Sequence, residues 1–196
     1  MKTEINPRDF IKYKFFNSLF LGISVGSIFT IYAPLEPSVY SLGGIMLALG
    51  MLFVAKFYHK ILTIPYFFKI SLLVEVVAFF MVTYFLIFSY NYQSALVVYA
   101  GYQLTFTFGA YLTRAETLFL KKRQILSFVD MTNQKGYLFG MLLSYGFYKI
   151  LEFAFDMQGK QEQVYTMHFL LLGIEVLTIY FLAKAFKVKR SVLQCD

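Results

Sequence analysis

Six stretches of this chain are each apolar over about the thickness of a bilayer, which constrains its fold more than any other feature. A helix crossing hydrocarbon needs roughly 20 apolar residues at about 1.5 Å of rise each. Runs of that kind occupy residues 15–33, 40–57, 70–88, 95–113, 137–155 and 165–183. With 59% hydrophobic residues, 20% aromatic ones and a mean hydropathy of +0.62, the 196 residues carry more apolar surface than one water-facing globule can hide. The expected fold is therefore an all-α integral membrane protein, with one six-helix domain over residues 1–196. All four prolines fall outside the runs. Pro34 and Pro37 separate the first two, and Pro65 precedes the third, where a missing N–H is tolerated. The basic stretch before residue 15 introduces a run too long for a signal peptide, and no small-residue cleavage site follows it.

The net charge of +7 is spread between the apolar runs rather than gathered in one patch, so it reports on topology and calls for no nucleic acid. Alternate connections hold Lys2, Arg8, Lys12 and Lys14; Lys56, Lys60 and Lys69; Arg114, Lys121, Lys122, Arg123 and Lys135; and Lys184, Lys187, Lys189 and Arg190. That is 16 of the 18 basic residues, and only Lys149 and Lys160 fall on the other side. Both termini are expected to be cytoplasmic, in a cell membrane that would be the inner membrane of a bacterium. The segment "KKRQILSFV" mixes Lys121, Lys122 and Arg123 with Ile125, Leu126, Phe128 and Val129, as a basic helix lying on the inner leaflet does. The only cysteine is Cys195, so no disulfide forms within the chain, and no Cys/His spacing marks a metal or cofactor.

Small residues recur every fourth position as Ser18, Gly22, Gly26 and Thr30 on the first span, and as Gly136, Gly140 and Ser144 on the fifth. Each set shares one helix face and lets another backbone approach closely. Gly44, Ala48 and Ala55 make a similar stripe on the second span.

Two runs contain a single acid and no lysine or arginine, Glu75 in "SLLVEVVAFF" and Glu175 in "LLLGIEVLTI". Thirteen Leu, Ile, Val and Phe residues in the third span, at about −0.3 to −0.6 kcal/mol each, outweigh one central acid at roughly +3 kcal/mol. Insertion survives, yet a neutral side chain would remove a standing cost. Such positions point to proton or ion coupling, with neutral helix-to-helix hydrogen bonding as the structural alternative. The contexts match, since Leu72, Leu73, Val74, Glu75 and Val76 parallel Leu172, Gly173, Ile174, Glu175 and Val176. Because the third and sixth spans cross in opposite directions, a repeat here is an inverted one of three helices plus three.

This layout resembles one half of a major facilitator superfamily transporter. Locally, "FGAYLTRAETLFLKK" is similar to the end of that superfamily's fourth helix, with Glu116 in the place of its acid, and "NQKGYLFGMLLSYG" is similar to the start of its fifth. Between the second and third helices "AKFYHKILTI" departs from the pattern, with Ala55, His59 and Lys60 where the superfamily has Gly, an acid and a base. The resemblance implies a transporter of a small, unidentified solute, working as a homodimer of half-transporters in which the second and fifth helices of two copies meet. It implies a path lined by Asn17, Ser24, Ser27 and Thr30 on the first helix and by Tyr99, Tyr102, Gln103 and Thr107 on the fourth. It gives Arg114 and Glu116 an inner gate, and it places the third and sixth helices, with their acids, outside the central path. Two other expectations are a substrate-binding membrane subunit of a larger uptake system and a non-transporting scaffold. The sequence carries no nucleotide-binding loop or catalytic triad, and so no sign of an enzyme.

Overall fold

In a computed structural model, residues 2–189 are described; Arg190 and Cys195 lie outside them. Helix α1 (Pro7–Tyr32) starts with Asn6 as cap, its side chain accepting from Arg8 N–H at 3.2 Å, and Pro7 at the first helical position. Helix α2 (Pro37–Lys56) also opens on proline, and the four-residue α3 (Tyr58–Ile61) links it to α4 (Ile64–Ile87). Asn91 and Ser94 form a reciprocal capping box ahead of α5 (Tyr92–Thr107). Then come α6 (Gly109–Leu120), α7 (Arg123–Phe155) and α8 (Lys160–Ala185). Five of these, α1, α2, α4, α7 and α8, are long and apolar enough to cross a membrane, as fits a membrane-embedded protein.

Two departures from the sequence expectation are local. The apolar run at 95–113 is a bent pair, α5 and α6, broken at Phe108. Just before the break the hydroxyls of Thr105 and Thr107 donate to the carbonyls of Tyr102 and Gln103, at 2.9 Å each. The segment around 121–129 is not a separate surface helix. It forms the first turns of α7, whose 33 residues run about 50 Å, well beyond a hydrocarbon core of about 30 Å. No proline interrupts residues 123–155, and Val129 is buried against the bundle.

Packing centres on α1, which lies against α7 on one side and α8 on another; α8 packs on α4, α4 on α5, and α5 on α2. The α1–α7 contact is backbone on backbone. A Cβ added at Gly140 would point at the Leu19 carbonyl and lie 3.0 Å from the Gly22 Cα, and one at Gly136 would point at the Phe15 carbonyl. The small stripes of the first and fifth spans thus face each other within one chain. Ser18 Oγ adds a hydrogen bond to Asn133 Oδ1 at 3.1 Å. Gly26 is more open, with Ser144 and Tyr148 nearest. On α2, by contrast, Gly44, Ala48 and Ala55 are exposed, and Gly43 and Gly50 meet Tyr99 and Thr107 of α5 instead.

The other face of α1 follows a three-four rhythm, Phe10, Tyr13, Asn17, Phe20, Ser24, Ser27 and Ile31. On α8 the buried positions Val164, His168, Leu171, Glu175, Thr178, Leu182 and Ala185 keep the same rhythm, the seam spacing of helices crossing at small angles. Two apolar clusters result, one around Phe20, Phe85 and Leu171 and one around Phe10, Phe67 and Leu182. Strands β1 (Lys2–Ile5) and β2 (Phe186–Lys189) pair antiparallel, Ile5 opposite Phe186, and Asn6 N–H donates to the Ala185 carbonyl at 2.8 Å. The start of α1 and the end of α8 are thereby joined.

Gly140→Ala should force α1 and α7 apart, because its new methyl meets backbone and not a side-chain tip. Thermal unfolding of the purified protein in detergent should show a loss of about 1–3 kcal/mol. Gly146→Ala, placed in open space on the same helix, should match the parent or gain up to about 1 kcal/mol. Equal stability of the two variants would contradict the close contact.

Candidate functional site

Glu75 and Glu175 come to one height in the bundle by simple helix arithmetic. Glu75 lies eleven residues from the start of α4, Glu175 ten from the end of α8 and Asn17 ten from the start of α1, each about 15 to 17 Å from the end where α1 begins. The three helices pack together, so these side chains converge between the two apolar clusters. Glu75 is 1% exposed and Glu175 0%.

Their surroundings differ. One oxygen of Glu75, Oε1, accepts from the Tyr13 hydroxyl at 2.6 Å and from the Asn17 amide at 3.0 Å. Glu175 lies within hydrogen-bonding reach of Glu75, so that a proton on either carboxyl bridges the pair, and no other group among the described residues hydrogen-bonds to its oxygens. Ser71, one turn before Glu75, is also buried with its hydroxyl unpartnered. In an apolar bundle each such group represents a loss of about 1–3 kcal/mol until something hydrogen-bonds to it.

A cavity of about 140 Å³ adjoins it, reaching from Glu75, Ser71, Asn17 and Tyr13 to Lys14 and Glu116. Thr105, Phe106 and Leu112, on either side of the α5–α6 break, form its opposite wall. Lys14 Nζ and Glu116 Oε2 pair at 3.0 Å, with Glu116 only 8% exposed. Arg114 is exposed instead, its guanidinium 5.9 Å from the Tyr58 ring centre. The two residues assigned to an inner gate therefore face different surroundings, and Glu116 has Lys14 as its partner.

The path-lining candidates also divide. Asn17 is in the acid cluster. Ser24 donates to the Leu21 carbonyl at 3.0 Å and lies beside the Tyr102 hydroxyl, and Ser27 shares a hydrogen bond of 3.1 Å with Tyr148. Thr30 is half-buried nearer the far end of α1. Tyr99, Gln103 and Thr107 line the other side of α5, facing α2, where the Tyr99 hydroxyl donates to the Tyr40 carbonyl at 3.1 Å. Tyr13, Lys14, Ser71 and His168 belong to the interior and were not singled out by the sequence. Their signal was the three-four stripe that Tyr13 and His168 share with Asn17 and Glu175.

No family model, curated protein or solved structure matches this chain.

Lys14→Met should leave Glu116 unpaired at the mouth of the cavity, whereas Lys14→Met with Glu116→Gln removes both charges. Because the pair is partly exposed, the single variant should lose about 1–2 kcal/mol and the double variant should recover most of it. Chemical denaturation of these two variants, of Glu116→Gln alone and of the parent in one detergent measures this, and additive losses would show that the pair is not coupled.

Proposed function

We propose that this chain is a six-crossing membrane transport protein in which Glu75 and Glu175 form the proton-carrying site that couples transport. The observation that carries this reading is the buried carboxyl pair itself, Glu175 within hydrogen-bonding reach of Glu75 and with no other group bonded to its oxygens among the described residues, so that the proton the pair shares is its own. A helix-gluing acid would be expected to use its hydrogen bonds, as Glu75 does with Tyr13 and Asn17. One that binds and releases a proton needs an open lone pair and a route to water. The cavity between Glu75 and the Lys14–Glu116 pair supplies such a route.

Six crossings are supported by the β1–β2 pairing, which brings the two ends of the bundle together and so favours an even number. The bent α5–α6 pair, 29 residues from Tyr92 to Leu120, then supplies the crossing beyond the five long helices. With the basic connections at the end where α1 begins, the termini are cytoplasmic in this reading. The antiparallel placement of α4 and α8, each bringing its acid to the same level, is what a three-plus-three inverted repeat would produce.

Size bears on the cargo. A cavity of about 140 Å³ has room for several waters or a small ion, below the roughly 300 Å³ at which organic-ligand pockets begin. A larger solute would need a site other than this cavity, and the half-transporter resemblance implies a path completed by a second copy. The mass of the detergent-solubilised particle should then correspond to two chains, and a single chain in a lipid nanodisc would overturn the paired-half arrangement.

The central test is proton flux into proteoliposomes holding a pH-sensitive dye, driven by a potassium diffusion potential. The parent should exceed protein-free liposomes, and Glu75→Gln with Glu175→Gln should fall to that background while thermal stability stays within about 1 kcal/mol. Undiminished flux in the double variant would overturn the proton-carrying site. A parent no faster than empty liposomes would favour the scaffold reading.

A further inference from the structure

His168 lies seven residues before Glu175 on α8, two turns away on the same buried face and about 10 Å along the axis. It is 4% exposed, its ring 4.2 Å centre to centre from Phe85. Nδ1 is 2.7 Å from the Val164 carbonyl, and a carbonyl only accepts, so Nδ1 carries the hydrogen and Nε2 of the neutral ring is left as an acceptor. The ring borders a second, smaller cavity of about 10 Å³, room for about one water, together with Ser24, Ser27 and Tyr102. A histidine buried only for packing needs no hydroxyl-lined space beside it.

We propose that His168 is a second proton station, which relays protons between Glu175 and the end of the bundle opposite the β ribbon. This rests on the reading of Glu75 and Glu175 as proton carriers. Tyr102, buried on α5, borders the small cavity together with Ser24 and His168 and is the hydroxyl placed in the gap. A proton leaving a Glu175 oxygen passes by way of the Tyr102 hydroxyl and one water to His168 Nε2. The result is a carboxylate and an imidazolium. Loss of a proton from that ring toward Ser27 and Tyr148 restores neutral histidine, and Glu175 is reprotonated from the Glu75 side.

The groups facing His168 are few. Helix α5 presents Tyr102, α1 presents Ser24 and Ser27 with Tyr148 of α7 behind them, α4 presents Met81, Val82 and Phe85, and α8 itself holds Glu175. No charged side chain lines the small cavity among the described residues, and Glu175, two turns along, is the acid of α8 on the same buried face. With the large cavity at one end and this one beyond the acids, polar groups form a succession along the face that α1 and α8 share.

The chain has two histidines, which makes the test direct. With ¹⁵N-labelled histidine in the full chain in nanodiscs, and the exposed His59 assigned through His59→Gln, the ring nitrogens of His168 should titrate. Their midpoint should move by about one pH unit in Glu175→Gln. Tyr102→Phe keeps the ring packing and removes only the hydroxyl; it and His168→Gln should each lower dye-reported proton flux by about 100-fold. A His168 titration indifferent to Glu175→Gln, or full flux in both Tyr102→Phe and His168→Gln, would overturn the relay. If flux is lost in Glu175→Gln but kept in those two variants, the acid site stands and the relay falls. If Glu175→Gln also keeps full flux, both fall.

Discussion

Helix α1 must satisfy two neighbours with opposite demands, and the rest of the bundle follows from how it does so. Water does not drive helices together inside a membrane, so association depends on close packing and on polar groups finding one another. One face of α1 is small at Ser18 and Gly22, which lets α7 approach backbone to backbone through Gly136 and Gly140. The other face carries Tyr13 and Asn17, which reach Glu75 on α4 while α8 brings Glu175 beside it. A side chain in place of Gly22 would push against α7 and would also move the donors that Glu75 depends on. Packing and polar chemistry are thus coupled through one rigid element.

The polar layer is asymmetric. Tyr13 and Asn17 spend their donors on a single oxygen of Glu75, and Glu175 receives neither. Two carboxyls at close range cannot both be charged in an apolar setting without strong repulsion, so a shared or exchangeable proton is the economical state of such a pair. The arrangement therefore places an acid held by Tyr13 and Asn17 on the cavity side and, behind it, one whose partner is the first acid. The α5–α6 break lies against the same cavity, where irregular backbone at membrane depth is tolerated because it borders polar space.

Much of this was legible locally. Run length marked the apolar helices, and Pro37 and Pro65 announced the starts of α2 and α4, in whose first turns they lie. The acids stood out because a carboxyl in such a run is anomalous whatever surrounds it. The long α7 was not legible, since Ile125, Leu126 and Val129 recur with the same period whether a helix lies on a membrane surface or continues into it. The break at Phe108 was not legible either, since the run at 95–113 is apolar on both sides of it. On α2 the spacing of Gly44 and Ala48 pointed to a contact, but the helix is rotated so that Gly43 and Gly50 meet α5.

By itself the sequence determined where apolar helices form and which of their positions are chemically unusual. Both are local properties, because backbone hydrogen bonds close within a helix and desolvation acts residue by residue. Only the tertiary structure decided that Glu75 and Glu175 meet, that Asn17 and Tyr13 serve the first and not the second, that Lys14 pairs with Glu116, and that His168 borders a cavity of its own. Those pairings join residues 58 to 102 positions apart, or depend on how α1, α4, α5 and α8 are rotated about their axes. Rotation is set by the summed fit of whole helix faces, a quantity that no single stretch of chain contains.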